Sequence, residues 1–267
     1  MPEGDSVHKL AAYLSELLTG RRLGLVRLRG HPARVLTGRR VERVHAHGKH
    51  LYIHFDDGHV LRSHLGMYGS WHHYRSGEAW RRPPSQAAIE LHCDDEVLAC
   101  FNPLEVALAP RAHIRPAGRT ARPGPDLLDA RVEPAAIIAR ARALLDEGTP
   151  MADVLLDQRV AAGIGNVYKC ELLFLTGLDP LTPLGQVDDD RLTRLYQLAS
   201  ELLRNNLGPG PRRTRSAGPD EPQLWVYRRA GRPCLRCGAP IRYARLGRHL
   251  RPTYWCAHCQ ACSPAGP

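Results

Sequence analysis

The amino-acid sequence predicts an α+β fold in which an N-terminal helix and an antiparallel β-sandwich precede a helical region and a short C-terminal hairpin. Three observations lead to this prediction. Helical periodicity occurs at residues 7–19, alternating runs with turn residues follow, and helical periodicity returns after the stretch RTARPGPDLLD. The 267 residues, 43% of them hydrophobic, are enough for one large domain or two ordinary ones.

The first predicted element is an amphipathic helix over residues 7–19. Its apolar face consists of Val7, Leu10, Ala11, Leu14, Leu17 and Leu18. We expect Asp5 or Ser6 to cap its start, because short polar side chains accept hydrogen bonds from free helix amides. Gly20 is the expected end, since glycine adopts the left-handed conformation that terminates helices.

The predicted strands come next. Leu51, Ile53 and Phe55 alternate with other side chains, the turn Asp-Asp-Gly follows at 56–58, and a second run extends from residue 59 to 65. A similar hairpin is predicted through AIELHCDDEVLAC. Paired runs of this kind indicate a sandwich or barrel of antiparallel strands.

The second half of the chain is predicted to be helical at 134–147, 151–158, 166–176 and 189–206. The stretch PGPRRTRSAGPDEP at 209–222 has no periodicity and predicts a mobile, basic loop. We therefore predict an N-terminal domain over 2–120, a linker over 121–132, a helical domain over 133–222 and a cysteine-bearing segment over 223–262.

The charge balance favours a polyanionic partner. The net charge is +10 and the isoelectric point is about 9.5, and each phosphate that a cation neutralises releases counterions. Arginine supplies most of this charge, because Lys9, Lys49 and Lys169 are the only lysines. The sequence has no uncharged apolar run of about 18 residues, as a membrane span requires, and no signal-peptide pattern. We expect a cytoplasmic, nucleoid-associated protein with no membrane partner.

The cysteine spacing predicts a metal site. Two C-x2-C pairs separated by 18 residues are formed by Cys234, Cys237, Cys256 and Cys259. This spacing is typical of zinc ribbons, in which four thiolates close a structural site. Two disulfides are the alternative, which a cytosolic chain disfavours. Cys262 repeats the spacing, whereas Cys93, Cys100 and Cys170 lie in apolar patterns typical of buried positions.

Two features of the C-terminal half suit phosphate groups. The segment 225–262 carries eight arginines and no acidic residue, and Arg251 lies five residues before Cys256. Upstream, an apolar helix breaks at AAGIGN and restarts at Asn166. A helix start after Gly165 presents free backbone N–H groups and a positive dipole end, which binds anions.

The chain begins MPEGD, so removal of Met1 makes Pro2 a secondary amine with Glu3 beside it. An α-amine has a pKa near 8 and is roughly one tenth neutral at pH 7. The N-terminus is therefore a candidate nucleophile.

Four ordered motifs together resemble the formamidopyrimidine-DNA glycosylase and endonuclease VIII family. They are MPEGD, HGKHLYI around Lys49, the stretch ending GIGN, and the closing C-x2-CG…TYWCAHCQ, and they extend from residue 2 to about 260. The resemblance implies a bifunctional DNA glycosylase and abasic-site lyase of base excision repair with a helix-two-turn-helix domain, one structural zinc ion and damaged DNA as partner. We expect it to act as a monomer.

The resemblance also implies roles for individual residues. Pro2 would attack the sugar C1′ and form a Schiff base, and Glu3 would protonate the sugar ring oxygen. Lys49 and Arg251 would bind phosphates and assist β- and δ-elimination. Asn166, preceded by Gly165, would hold the DNA backbone beside the lesion.

The preferred lesion is predicted from the residues that fill the gap left by a flipped nucleotide. In SHLGMYGSW the resemblance implies this role for Met67 and Tyr68. Purine-specific members carry an Asp-Pro-Arg-Arg-Phe-Gly loop where this chain reads CFNPLEVAL, so the endonuclease VIII branch and oxidised pyrimidines are predicted. Ser6 departs from that branch, which often has glutamate there. The alternatives are a purine-type glycosylase, which also uses HLGM, a non-catalytic zinc-ribbon DNA-binding module and a zinc-dependent regulator.

Overall fold

The computed structural model describes residues 2–114 and 122–261. The chain divides into two compact units, Met1–Arg122 and Pro123–Pro267. The first unit contains helix α1 (Gly4–Leu18) and the strands β1 (Leu25–Leu28), β2 (His31–Pro32), β3 (Val41–His47), β4 (His50–Phe55), β5 (His59–His64), β6 (Ser70–Arg75), β7 (Ala87–Cys93), β8 (Glu96–Phe101) and β9 (Glu105–Pro110). The predicted α+β class is confirmed.

These strands form two antiparallel sheets. One has the order β2-β1-β7-β8-β6 and the other β3-β4-β5-β9. Both predicted hairpins are present, as β4–β5 and β7–β8. The apolar face of α1 and the inner faces of both sheets share one core that includes Leu14, Val44, Ile53, Leu91 and Leu98. The predicted sandwich is therefore confirmed.

The start of α1 differs from the predicted one. Glu3 occupies the N-cap position with an extended backbone and makes no side-chain capping bond, and Asp5 and Ser6 lie inside the first turn. Their prediction as caps is wrong, because the helix begins directly behind Pro2 and takes in the whole segment after Glu3. Asp5 still complements the positive end of the helix dipole. Gly20 follows the end of the helix with φ of +84°, as predicted.

The second unit contains α2 (Pro134–Leu144), α3 (Met151–Val154), α4 (Asn166–Leu175), α5 (Asp189–Asn205) and the hairpin strands β10 (Arg242–Leu246) and β11 (Arg251–Trp255). Each predicted helix is present, but α3 ends four residues early. The Asp157 side chain accepts a hydrogen bond from the Arg159 backbone N–H at 3.0 Å, which favours a turn there. Helix α4 is buried over nearly its full length, because its side chains belong to two apolar clusters. One is the helical core, and the other includes Val226, Ile241 and Cys256.

The predicted loop at 209–222 contains no helix or strand, as expected. It is nevertheless tied together internally: the Arg215 guanidinium donates to the Pro222 carbonyl at 2.7 Å, and the Thr214 N–H to the Gln223 carbonyl at 3.0 Å. None of the helices in the described ranges has the length and hydropathy of a membrane span.

Candidate active site

One end of the sandwich collects the predicted residues of the first unit. Strand β3 ends at His47 and β4 begins at His50, and these two residues pair across the turn that carries Lys49. His50 pairs with His64 at the end of β5, and His64 pairs with Glu105 at the start of β9. The Lys49 turn, the loop after β5 and the loop before β9 therefore lie at the same edge of the four-stranded sheet.

Helix α1 brings the N-terminus to this same end. The Gly20 N–H, just after the helix, donates to the Val41 carbonyl at the start of β3, at 2.8 Å, and α1 packs along β3 and β4. The 15 residues of α1 rise about 22 Å, and the 7 residues of β3 span about 23 Å. Because the two elements match in length and run in opposite directions, Pro2 and Glu3 lie toward the end of β3 that leads to Lys49.

Pro2 and Glu3 have different environments in this corner. Glu3 is fully buried, with 0% of its surface exposed, whereas Pro2 and Lys49 are half-buried. A buried carboxyl next to a secondary amine suits proton transfer close to the nucleophile, because water competes little for either group. Gly48 adopts φ of +56°, which allows the tight turn that presents Lys49.

A row of histidines borders this corner, and sequence reasoning missed it. The rings of His50 and His64 lie 4.6 Å apart between centroids. Burial, the neighbouring His64 and the nearby cations lower the pKa of His50 to about 3. Burial and Lys49 lower the pKa of His64 to about 4. Both rings are therefore neutral at pH 7. Within β3, and likewise within β4, the histidines of HAHGKHLYIH are an even number of residues apart, which is the sequence signal for one shared face.

The predicted gap-filling residues stand on a rigid loop after β5. Met67 and Tyr68 are 51% and 78% exposed. Gly66 adopts φ of +62°, and the Gly69 N–H donates to the Leu65 carbonyl at 2.9 Å. A Cβ atom at Gly69 would lie 2.4 Å from that carbonyl oxygen, so only glycine fits there.

Leu104 joins this apolar surface and was missed from the sequence. Its side chain is 67% exposed, and a Cβ atom at Gly66 would lie 2.8 Å from the Leu104 Cβ. The Leu104 N–H donates to the His64 carbonyl at 2.8 Å, which fixes the loop before β9 against the loop after β5. The stretch CFNPLEVAL thus adds a third exposed apolar side chain beside Met67 and Tyr68.

In the second unit, Gly165 is the N-cap of α4 and Asn166 its first residue. The Asn166 side chain is buried and already engaged: its Nδ2 donates to the Pro252 carbonyl at 2.7 Å, and its Oδ1 accepts from Lys169 Nζ at 2.8 Å. The structure therefore joins the start of α4 to strand β11. Arg251 is the first residue of β11 and is exposed.

The four predicted metal ligands come together in this unit. Their Sγ atoms all lie within 4.8 Å of one another. Cys234 and Cys259 are 3.9 Å apart, and Cys237 and Cys256 3.5 Å, both well beyond the roughly 2.05 Å of a disulfide bond. Desolvation and hydrogen bonds with the other three thiols raise the pKa of Cys259.

The remaining cysteines follow the predicted pattern where the structure describes them. Cys93, Cys100 and Cys170 are buried, and burial raises the pKa of Cys100. Cys262 lies outside the described residues.

Family models match most of the chain. Residues 1–104 match the formamidopyrimidine-DNA glycosylase N-terminal domain, and residues 124–216 match the formamidopyrimidine-DNA glycosylase H2TH domain. The chain belongs to the formamidopyrimidine-DNA glycosylase family. The family prediction is thereby confirmed.

Curated relatives of this family cover nearly the whole chain. It is 40% identical to the probable endonuclease 8 2 of Streptomyces coelicolor, over 98% of this chain and 94% of that protein. It is 38% identical to the DNA-(apurinic or apyrimidinic site) lyase Nei2 of Mycolicibacterium smegmatis, over 98% of this chain and 100% of that protein. The names of these relatives agree with the predicted endonuclease VIII branch.

Solved structures of the family share the fold. The MutM (Fpg) protein of Thermus thermophilus superposes with a TM-score of 0.79 at 26% identity, over 98% of this chain and 100% of that one. The Lactococcus lactis Fpg in complex with DNA that contains an abasic site superposes with a TM-score of 0.81 at 22% identity, over 97% and 100%.

Proposed function

We propose that this member of the family is a bifunctional DNA glycosylase and abasic-site lyase of base excision repair, with Pro2 as its nucleophile. The observation that carries the proposal is the arrangement in the first unit, where the direction of α1 and the strand register bring Pro2, Glu3 and Lys49 to one end of the sandwich. The relatives named endonuclease 8 and abasic-site lyase support the same activity.

The reaction follows from the chemistry of a secondary amine. The Pro2 nitrogen attacks C1′, the damaged base leaves with the electron pair of the glycosidic bond, and Glu3 protonates the ring oxygen so that the sugar opens to an iminium ion. Loss of a C2′ proton expels the 3′ phosphate, and a second elimination expels the 5′ phosphate. Lys49 and Arg251 bind the phosphates and assist both eliminations, while Asn166 and Gly165 support the DNA backbone at the start of α4.

The cysteine cluster fits a structural zinc ion. A tetrahedral zinc site with Zn–S bonds of about 2.3 Å has sulfur atoms about 3.8 Å apart, close to the separations of 3.5 and 3.9 Å in the structure. Four cysteine ligands leave no position for a substrate. Zinc would stabilise the β10–β11 hairpin, which carries Arg251, and would take part in no step of the reaction.

Oxidised pyrimidines are the proposed substrates. Purine-type members take two gap-filling residues from an Asp-Pro-Arg-Arg-Phe-Gly loop, whereas Leu104 is an apolar side chain without hydrogen-bonding groups for the orphaned base. Met67, Tyr68 and Leu104 form an apolar wedge that suits bases which have lost planarity and unstack easily. A purine-type activity on oxidised guanine is the second candidate, supported by HLGM at 64–67.

The wider organisation is proposed from the same observations. The proposed domains remain 2–120, a linker at 121–132, 133–222 and 223–262, with the family matches at 1–104 and 124–216 in support of the first and third. We propose that a monomer works on damaged DNA in the nucleoid, inside the cytoplasm. Solved relatives bound to damaged or abasic DNA support that partner.

Covalent trapping tests the proposed function. Borohydride reduces an iminium to a stable amine, so wild-type protein incubated with abasic DNA should form a cross-link that peptide mapping assigns to Pro2. Mass spectrometry of the same preparation should show Pro2 as the N-terminal residue. A cross-link that maps to Lys49, together with normal cleavage by Pro2→Gly protein, would contradict the assignment.

A further inference from the structure

The turn between β10 and β11 is held by an acidic side chain of the helical core. In that turn, residues 247–250, the Arg248 N–H donates to both carboxylate oxygens of Asp153, at 3.2 and 3.0 Å. Asp153 belongs to the short helix α3. A hydrogen bond to a charged acceptor is roughly twice as strong as one between neutral groups, so this contact fixes the turn to the helical core.

The sequence of the turn matches this contact closely. Gly247 adopts φ of +74°, and a Cβ atom there would lie 2.2 Å from the Asp153 Oδ1. Glycine therefore allows the carboxylate to reach the backbone of the turn. The Leu250 N–H closes the turn by donating to the Gly247 carbonyl at 3.0 Å.

A second acid holds the side chain of the same turn residue. The Arg248 guanidinium lies 3.6 Å from Asp157 Oδ2, and Arg159 pairs with the same carboxylate at 2.6 Å. Burial opposes ionisation of Asp157, but the hydrogen bonds and charges of the two arginines outweigh it and lower the pKa of this carboxyl. Asp157 is therefore ionised at neutral pH, and Arg248 is directed toward the helical core.

The other side of Arg251 is held by α4. Lys169 Nζ donates to Thr253 Oγ1 at 2.7 Å, and Asn166 Nδ2 donates to the Pro252 carbonyl at 2.7 Å. Arg251 thus lies between two attachments, one at residue 248 and one at residues 252 and 253. The first of these depends on Asp153.

We propose that Asp153 is a positioning residue that holds the 247–250 turn and so directs Arg251 toward a DNA phosphate. The inference rests on the proposed function, since it assigns Arg251 to phosphate binding. The expected change in DNA affinity is opposite to the change that loss of an acidic residue usually causes. Removal of an acidic residue from a DNA-binding protein ordinarily strengthens binding, whereas removal of Asp153 weakens it because Arg251 loses its fixed direction.

The test is a double-mutant cycle on affinity for a duplex that contains tetrahydrofuran, an abasic-site analogue that an amine does not cleave. Asp153→Ala is expected to weaken binding about fivefold and to have almost no effect in an Arg251→Ala protein. Asp153→Asn, whose carbonyl oxygen still accepts from the Arg248 N–H, should lose less affinity than Asp153→Ala. Asp146→Ala is the matched control, because Asp146 is an exposed acid that lines the same cleft as Asp153, and it should not weaken binding.

Two further measurements keep the cycle interpretable. Deuterium uptake at residues 247–250 should rise in Asp153→Ala while the metal content stays unchanged. Gly247→Ala disrupts the same contact from the turn, because its new methyl group displaces the Asp153 carboxylate. It should cause the same Arg251-dependent loss of DNA affinity, and it replaces Asp153→Ala in the cycle if that variant does not fold.

Three results would overturn the inference: equal or tighter binding by Asp153→Ala, the same loss in both backgrounds, or wild-type affinity that does not respond to Arg251→Ala. The analogue is not cleaved, so the affinity cycle does not depend on Pro2 chemistry. Failure of Pro2 to trap abasic DNA would therefore refute the proposed function without affecting the result of the cycle.

Discussion

The buried side-chain nitrogen of Lys169 donates a hydrogen bond to the hydroxyl of Thr253, 2.7 Å away, and so joins helix α4 to strand β11. Lys169 is 0% exposed. Its Nζ also donates to the Asn166 side chain at 2.8 Å. One lysine therefore orients both the start of α4 and the strand that begins with Arg251.

Lys169→Ala is expected to lower the free energy of unfolding by about 3 kcal/mol, because it opens a cavity and leaves buried polar groups unsatisfied. Chemical denaturation followed by tryptophan fluorescence measures the change. Arg194→Ala, at an exposed position of α5, is the control and should change stability little. Equal stability of the two variants would show that the buried contacts contribute nothing.

Loss of one thiolate should unfold the hairpin. Cys256→Ser removes a buried ligand of the proposed zinc site, so we expect a metal content close to zero and loss of DNA binding, with the first unit still folded. Elemental analysis and circular dichroism measure these outcomes. Cys100→Ser, at a buried cysteine outside the cluster, should keep its metal. Absence of metal from freshly purified, reduced wild-type protein would refute the site.

Lys49 and Arg251 are expected to act on phosphates and elimination rather than on the first bond cleavage. Lys49→Ala and Arg251→Ala should retain part of their base release but nick both abasic DNA and DNA with base lesions more slowly, with affinity less dependent on salt. Gel assays that separate base release from nicking measure the split. Wild-type nicking by both variants would contradict these roles.

The histidine row predicts a fall in stability below neutral pH. Burial and neighbouring cations lower the pKa values of His45, His50 and His64 to about 4, 3 and 4 from the ordinary 6.5. Between pH 6.5 and 5 the unfolded chain binds protons that the folded protein does not, so the free energy of unfolding decreases as pH falls. Urea midpoints at pH 7.5 and 5 measure this decrease. His50→Gln should reduce it, while His31→Gln, at an exposed site, should leave it unchanged.

The lesion preference predicts that thymine glycol and dihydrouracil are excised faster than 8-oxoguanine opposite cytosine in single-turnover assays on matched duplexes. Tyr68→Ala and Leu104→Ala should slow excision from duplex DNA about tenfold, because each removes a side chain that replaces stacking, and should have little effect on single strands. Leu181→Ala, also exposed, is the control. Faster excision of 8-oxoguanine would favour the purine-type candidate.

Local patterns predicted most of the fold. The alternation around Ile53 and the turn at 56–58 define a hairpin within about 15 residues, and the C-x2-C pairs specify their own geometry at tight turns. The start of α1 was missed, because capping propensity favours Asp5 or Ser6 whereas packing of the entire N-terminal segment places Glu3 at the cap.

Long-range contacts could not be predicted. Asp153 and Arg248, which are joined by a hydrogen bond, are 95 positions apart in the sequence, and neither residue belongs to a motif. The side chain of Leu104 lies beside Gly66 only because β5 pairs with β9 in one register. Such contacts depend on how strands and helices assemble, which a single sequence does not encode locally.

In the loop after β5, the residues that set the backbone path differ from the residues that carry the exposed side chains. Its path is held by Gly66 and Gly69 and by hydrogen bonds to the His64 ring and the Leu65 carbonyl, none of which uses the side chain at 67 or 68. We therefore expect the loop to keep its path when residues 67 and 68 are replaced. A library that randomises both while keeping the glycines should therefore yield folded proteins, which separates a test of the proposed gap-filling role from a test of folding.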